Sequence, residues 1–229
     1  MLKILFVKFI NFWVWRNPKS MAGKLYKFSL AEYGSMLDLM LASHSTLSGE
    51  RSSMYLRHAL DEARHSDLFR DHINYLADKY PEVKYQPEVN ADIDNLFLRM
   101  PETDFLAFAY RGEKRARIQF AVYRDYFKKK KLKKEYELFA QLVHDEFEHE
   151  RYIWNLLQEL TGSKKSALVK TWKMAVWELG RTSLRRGRKL SNFVFTLTTI
   201  ILYFISMPIA LSIILFKRSK TGWHRETKI

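Results

Sequence analysis

Two segments of the sequence repeat one pattern: Asp61-Glu62-Ala63-Arg64-His65 and Asp145-Glu146-Phe147-Glu148-His149. Each reads Asp-Glu-x-x-His. On a helix, residues three apart project from the same face, so the glutamate and histidine of each segment can grip a common ion. With 25 acidic residues and 7 histidines in 229 positions, the pattern should arise about 0.02 times by chance, so two copies point to one purpose. The rest of the chain must place both segments on helices that face each other.

The sequence around them supports that. Gly and Pro are scarce, at 8 and 5 residues, and long helical periods abound, so the fold class is all-α. Residues 23–43 form a first helix with Leu25, Phe28, Glu32, Met36, Leu39, Met40 and Ser43 along one face. A glutamate in line with an apolar stripe needs a partner inside the fold. After a Ser- and Gly-bearing turn, residues 50–77 form a second helix with Tyr55, His58, Glu62, His65, Phe69 and His72 on one stripe. Residues 78–102 hold Pro81, Pro87 and Pro101 and no sustained period, as expected of a crossover running the length of a bundle. A third helix, 104–128, puts Glu113 in line with Leu106, Ala109, Tyr110, Ala116, Arg117 and Phe120. Past a lysine-dense turn at 128–134, a fourth helix from about 135 to 160 carries Glu146 and His149 inward with Phe139, Leu142, Val143, Ile153 and Leu156.

Glu32 precedes Glu62 by 30 positions and Glu113 precedes Glu146 by 33. The chain thus repeats a unit, a glutamate on one helix and Glu-x-x-His on the next. Two such hairpins place Glu32, Glu62, His65, Glu113, Glu146 and His149 in one interior, a donor set for two metal ions. Four carboxylates nearly neutralise two divalent cations, and each histidine adds a nitrogen. With no cysteine in the chain, thiolate zinc sites, disulfides and Cys-ligated iron–sulfur clusters are excluded. A mixed oxygen and nitrogen set with open positions favours two iron ions, with manganese in one or both positions as the runner-up. A metal-bound histidine usually donates its other N–H to a carboxylate, so Asp61 is expected to reach His149, and Asp145 to reach His65. Tyr55, His58, Tyr110 and Phe120 are candidates for a pocket beside the centre, core packing being the simpler reading for the two tyrosines. His58, His72 and His144 are placed outside the ligand set. Glu113 alone has an alternative, an ion pair with Arg117 one turn away.

The six-residue pattern, with its two aspartates, resembles the ferritin-like di-iron carboxylate superfamily over roughly residues 23–160. Within it, Ala31-Glu32-Tyr33-Gly34 and Asp145-Glu146-Phe147-Glu148-His149 look similar to segments of demethoxyubiquinone hydroxylases, membrane-associated enzymes that hydroxylate a quinone ring. A charge-free segment at 193–216 and a basic helix before it depart from that closer likeness. Rubrerythrin-like peroxidases are another branch, but generally carry a Cys-ligated iron module that this chain lacks. Membrane-bound alternative oxidases share the ligand set, which keeps quinol oxidation open.

Residues 193–216 run 24 positions without a charge, more than the roughly 20 that a membrane span requires. A spanning helix and a re-entrant hairpin broken at Pro208 are both open, since basic residues flank the segment equally. Residues 1–20 read as an amphipathic interfacial helix with tryptophans at headgroup level, the alternative being a helix packed on the bundle by its aromatic side. Beside such segments, the net charge of +14 points to an anionic lipid bilayer and not to nucleic acid. The expected organisation is an interfacial helix at 1–20, a ferritin-like four-helix bundle at 21–162, a basic amphipathic helix at 163–190, a transmembrane or re-entrant segment at 191–216 and a basic tail at 217–229. The basic helix is expected to run back along the bundle, bringing the apolar segment beside the lysine turn.

The function these features imply is a di-iron, O2-dependent hydroxylase at the inner cell membrane, its bundle on the cytoplasmic side. Its partners would be O2, a hydrophobic membrane-derived substrate such as a lipid or quinone, and an external reductase, since no cofactor motif is present. Oligomers are open. The alternatives are a quinol oxidase, an iron-oxidising or peroxide-detoxifying protein, and a non-catalytic membrane assembly factor.

Overall fold

The computed structural model describes residues 13–83 and 95–223, and all of its regular elements are helices. They are α1 (Pro18–Ser45), α2 (Gly49–Lys79), the short α3 (Leu96–Arg99), α4 (Glu102–Lys130), α5 (Lys133–Thr161) and α6 (Lys164–Trp223). Local chemistry sets the ends. Pro18 opens α1, where its fixed φ fits and its missing N–H costs nothing, and Asn17 Oδ1 accepts from Lys19 N at 2.8 Å. Ser48 caps α2 by accepting from Arg51 N at 3.3 Å. Gly162 closes α5 at φ 71°, a left-handed conformation that favours glycine.

α1 packs along α2, and α4 along α5, each pair joined by a short turn. Between the two hairpins lie two apolar clusters. One gathers Leu25 of α1, Phe69 and Ile73 of α2, Phe120 and Phe127 of α4, and Phe139 and Leu142 of α5. The other holds Leu39, Ala42, Tyr55, Leu106, Ile153 and Leu157, at the end of the α1–α2 turn. Sequence order puts Glu32, Glu62, Glu113 and Glu146 between these clusters on their helices. A polar layer therefore interrupts the core at mid-height.

Several sequence expectations change. Helices α1, α2, α4 and α5 each extend past the expected bounds, α1 starting at Pro18, inside the segment assigned to an interfacial helix. Residues 1–12 lie outside the described residues. Trp15 does not sit outward at headgroup level but is buried at 4% exposure. Its ring meets Tyr123, Phe127 and Phe139 edge-on at 4.9, 5.2 and 5.8 Å, which buries more apolar surface than an outward indole would. Much of the crossover, 84–94, also lies outside the described residues.

The segments expected as a basic helix, a membrane segment and the start of a tail form one helix, α6, which continues through Pro208 with no hairpin turn. Residues through Ala175 belong to the unit containing the bundle, and Val176 onward forms a second unit. Within the first, Ala167 and Met174 join the cluster at the α1–α2-turn end. Lys170 and Lys173 reach the buried Asp104 at the head of α4, at 2.6 and 3.2 Å. These turns are fixed at that end by apolar burial and two ion pairs. In the second unit, Leu190–Pro208 is 19 residues long and apolar, and none of it is buried.

Candidate metal centre

Glu32, Glu62, His65, Glu113, Glu146 and His149 all come together, and all are buried. Their donor atoms, with those of His58, form two groups: Glu32, Glu62, His65 and Glu146, and His58, Glu62, Glu113 and His149. Within each group one donor atom per residue lies within 4.8 Å of every other. Glu62 belongs to both. The helical spacing explains the convergence, since α2 and α5 each project Glu-x-x-His into the layer while α1 and α4 each add one carboxylate.

The orientation of the two imidazoles is set from behind. His65 Nε2 lies 3.2 Å from Asp145 Oδ2, and His149 Nε2 lies 3.4 Å from Asp61 Oδ2. Each aspartate thus reaches across to the histidine of the other hairpin. A carboxylate can only accept here, so Nε2 carries the proton and Nδ1 presents a lone pair inward. What those lone pairs meet is more acceptors. His65 Nδ1 is 3.5 Å from Glu146 Oε1. His149 Nδ1 is 3.6 Å from Glu62 Oε1, 3.8 Å from Glu146 Oε2 and 4.0 Å from Glu113 Oε2. Both Nδ1 atoms, both Glu146 oxygens and Glu62 Oε2 are buried without a hydrogen-bond partner.

Acceptors crowded against acceptors repel unless a cation stands between them. Divalent first-row ions bind nitrogen and oxygen at about 2.1 Å, which sets neighbouring donors about 3 to 3.5 Å apart. The residues present therefore fit two metal ions. The electrostatics agree. Burial first, then the charges of Glu32, Glu113 and Glu146, push the Glu62 carboxyl well above its usual range. Glu113 is raised by burial and by Glu146, and Glu146 is pushed up to about 8, chiefly by burial. Glu62, Glu113 and Glu146, buried side by side, cannot all ionise without added positive charge.

The aspartates behave oppositely. The hydrogen bond from His149 holds Asp61 below its usual range. Burial works against Asp145, but the bond from His65 and nearby positive charge still lower it. Arg64, inside the first motif, donates to Asp61 at 2.8 Å and Asp145 at 3.2 Å and ties the two together. Sequence reading passed over Arg64, although its position three after Asp61 was a signal.

Other candidates resolve individually. Arg117 pairs with Glu150 at 2.6 Å, leaving Glu113 to the centre. His58, expected beside a pocket and outside the ligand set, places its Nε2 3.0 Å from Glu62 and 3.6 Å from Glu113. His72 is buried against Glu135 at 3.3 Å, and His144 is exposed. Tyr55 donates to Glu102 at 2.7 Å, and Tyr110 packs on Trp154 with ring centroids 4.8 Å apart, so neither lines the cavity beside the centre. Phe120 does.

That cavity, of about 530 Å³, lies between α1 and α4 and reaches Glu32 and Glu113. Its walls include Phe28, Leu39, Phe105, Phe108 and Ala116. Gly112 also lines it, and a side chain added there would meet nothing within 4 Å.

Residues 104–194 match the family model described as Rubrerythrin. That family is part of the ferritin-like di-iron carboxylate superfamily, and the likeness is confined to this stretch. It covers most of α4, all of α5 and the first half of α6, and so includes Glu113, Glu146 and His149 but not the first hairpin. No curated protein and no solved structure matches the chain. The matched residues are the second hairpin and the first half of α6, and no cysteine is present to ligate a further iron. The narrower likeness to demethoxyubiquinone hydroxylases is not among these findings.

Proposed function

We propose that this protein is a membrane-anchored di-iron oxygenase, a hydroxylase of a lipid, quinone or similarly hydrophobic substrate. The observation that carries the reading is the cavity between α1 and α4. It brings an apolar wall to the two carboxylates, Glu32 and Glu113, that would hold the metals. Iron bound there would supply the reduction of O2 needed to oxidise a substrate, drawing electrons from an external reductase. The protein's own part is to hold that substrate against the centre and keep water out. Ala31, Gly34, Ala109 and Gly112 leave the width.

Charge at the cavity argues against Fe²⁺ as the cargo. Apart from the two donor glutamates, its ionisable lining is Lys27, Arg115 and Asp38, which does not attract a divalent cation. The anchor would be Leu190–Pro208, whose exposed Phe193, Phe195, Leu202 and Phe204 are unfavourable in water and favourable in hydrocarbon. An anionic leaflet fits the net charge of +14. An iron- or peroxide-handling protein is the second reading, favoured by the Rubrerythrin match.

One experiment separates them. The iron-loaded full chain in nanodiscs is reduced and given O2, with membrane lipid extract, excess Fe²⁺ or peroxide as the other reactant. Oxygenated lipid is the expected product; consumption of Fe²⁺ or peroxide alone would replace this reading with the second. Gly112→Leu sharpens the test. It fills the cavity while leaving every donor in place, so lipid turnover should fall at least tenfold with two irons still bound.

A further inference from the structure

We infer that His58 is a seventh metal donor, which makes the two metal positions chemically unequal. The inference rests on the di-metal reading above and deepens it. His58 is 2% exposed and sits one helical turn before Glu62. Its Nε2 is aimed between carboxylate oxygens from two helices, at 3.0 Å from Glu62 Oε1 on α2 and 3.6 Å from Glu113 Oε1 on α4. Its ring lies 3.8 Å, centroid to centroid, from that of His149. Two imidazoles and two carboxylates thus converge at mutual donor distances that one ion would span.

The far side of the ring is equipped for the role. His58 Nδ1 lies 2.6 Å from Tyr152 Oη. With the proton on Nδ1, donated to that oxygen, Nε2 is free to ligate, the arrangement that Asp61 and Asp145 impose on the other two histidines with the ring nitrogens reversed. A plain hydrogen bond from Nε2–H to Glu62 would explain one contact. It would not explain why the same nitrogen also faces Glu113, nor why Glu62 Oε2 and His149 Nδ1 are left without partners beside it.

The internal repeat provides an independent comparison. The residue four before Glu146, equivalent to His58, is Leu142, and the residue three after His65, equivalent to Tyr152, is Leu68. Leu142 is fully buried in the first apolar cluster and Leu68 packs against it. The pair formed by His58 of α2 and Tyr152 of α5 is therefore replaced, at the repeat-related positions, by Leu142 of α5 and Leu68 of α2. Both halves of the device are present together or absent together. One position would hold two histidines with Glu62 and Glu113; the other, one histidine with Glu32, Glu62 and Glu146.

The test is cobalt binding to the metal-free full chain in detergent, followed by ligand-field absorption and by stoichiometry. The wild-type chain should bind two Co²⁺. In His58→Gln, whose amide keeps a hydrogen bond to Glu62, one Co²⁺ should bind as before and the second at least tenfold more weakly, with its absorption altered. In His58→Ala, added imidazole should restore the wild-type spectrum. Two Co²⁺ bound by His58→Gln with unchanged affinity and spectrum would overturn the inference and leave His58 a hydrogen-bond partner of Glu62. A wild-type chain that binds no Co²⁺ would overturn it by a different route, because the di-metal reading would fall first.

Discussion

Helices α1 and α2 bring Glu32, Glu62 and His65 to the centre, and α4 and α5 bring Glu113, Glu146 and His149 by the same pattern, a glutamate on one helix and Glu-x-x-His on the next. Around that common frame the halves diverge. Glu62 belongs to both donor groups, whereas Glu146 belongs to one. On one side the layer is closed by His58 and Tyr152, on the other by Leu142 and Leu68. The cavity adjoins only the carboxylates of α1 and α4, the helices without a histidine donor. A duplicated donor pattern thus gives the capacity for two metals, while the unduplicated residues decide how each is held and where a substrate approaches.

The largest effect expected within this comparison comes from the shared carboxylate. Glu62→Gln should lose both metals, a fall in affinity of more than about a thousandfold for an ion deprived of a charged bridge. Glu146→Gln should retain one. Metal analysis after equilibration with Fe²⁺ under anaerobic conditions gives the two stoichiometries. Equal losses would mean that the halves are more alike than their donor groups imply. Thermal melting of the metal-free chains gives a control. Glu62→Gln removes a buried carboxyl crowded by three others, so the metal-free variant should melt no lower than the wild type at pH 8, as no purely structural glutamate would allow.

Acidity offers the next test, because the metal-free centre is strained by charge. Glu146 has its folded-state pKa raised to about 8 from an ordinary value of 4.5. Such a carboxyl contributes stability that is fully present below pH 4.5 and is lost as pH rises through 8. The metal-free chain should therefore weaken from pH 5 to pH 8, by on the order of a few kcal/mol, as the proton on that site is given up. Metal should abolish the trend and release protons on binding. Glu146→Gln should make the trend shallower without metal, leaving the part that the raised Glu62 and Glu113 carboxyls contribute. A metal-free melting temperature that rises steadily over this window would contradict the burial of these carboxyls.

Much of this centre was legible in the sequence because its chemistry is periodic. Glu32, Glu62, His65, Glu113, Glu146 and His149 announce themselves as polar residues on apolar stripes, and the only place for such residues is an interior with a partner. The helices followed from the same stripes, with end residues such as Asn17, Pro18 and Gly162 shifting the boundaries by local capping. What was hidden depends on contacts between elements. His58 lay on the right stripe, but Tyr152, which orients it, comes from α5, 94 positions away. Arg64 joins two aspartates only because α2 and α5 cross there. Trp15 resembled an interfacial anchor by type, yet Tyr123, Phe127 and Phe139 form a pocket for it that no periodicity reveals. The length of α6 was concealed by its own composition, which changes from basic to apolar without changing helical conformation.

The smallest of these effects falls on the two aspartates, which repeat across the halves without being equal. The Asp145 side chain is 15% exposed and lies 3.2 Å from His65, whereas that of Asp61 is 36% exposed and lies 3.4 Å from His149. A hydrogen bond shielded from water orients its ring more firmly than one that water can replace. Asp145→Asn should therefore weaken one metal by about 10- to 100-fold, the usual cost of removing such a support. Asp61→Asn should weaken the other by less, toward the low end of that range. His58 adds to the contrast, since the position that Asp61 serves would keep a second imidazole when His149 loses its orienting carboxylate. Stepwise Co²⁺ titration of the two variants measures both losses. If Asp61→Asn costs as much as Asp145→Asn, neither exposure nor His58 tempers the loss, and the two halves hold their metals alike.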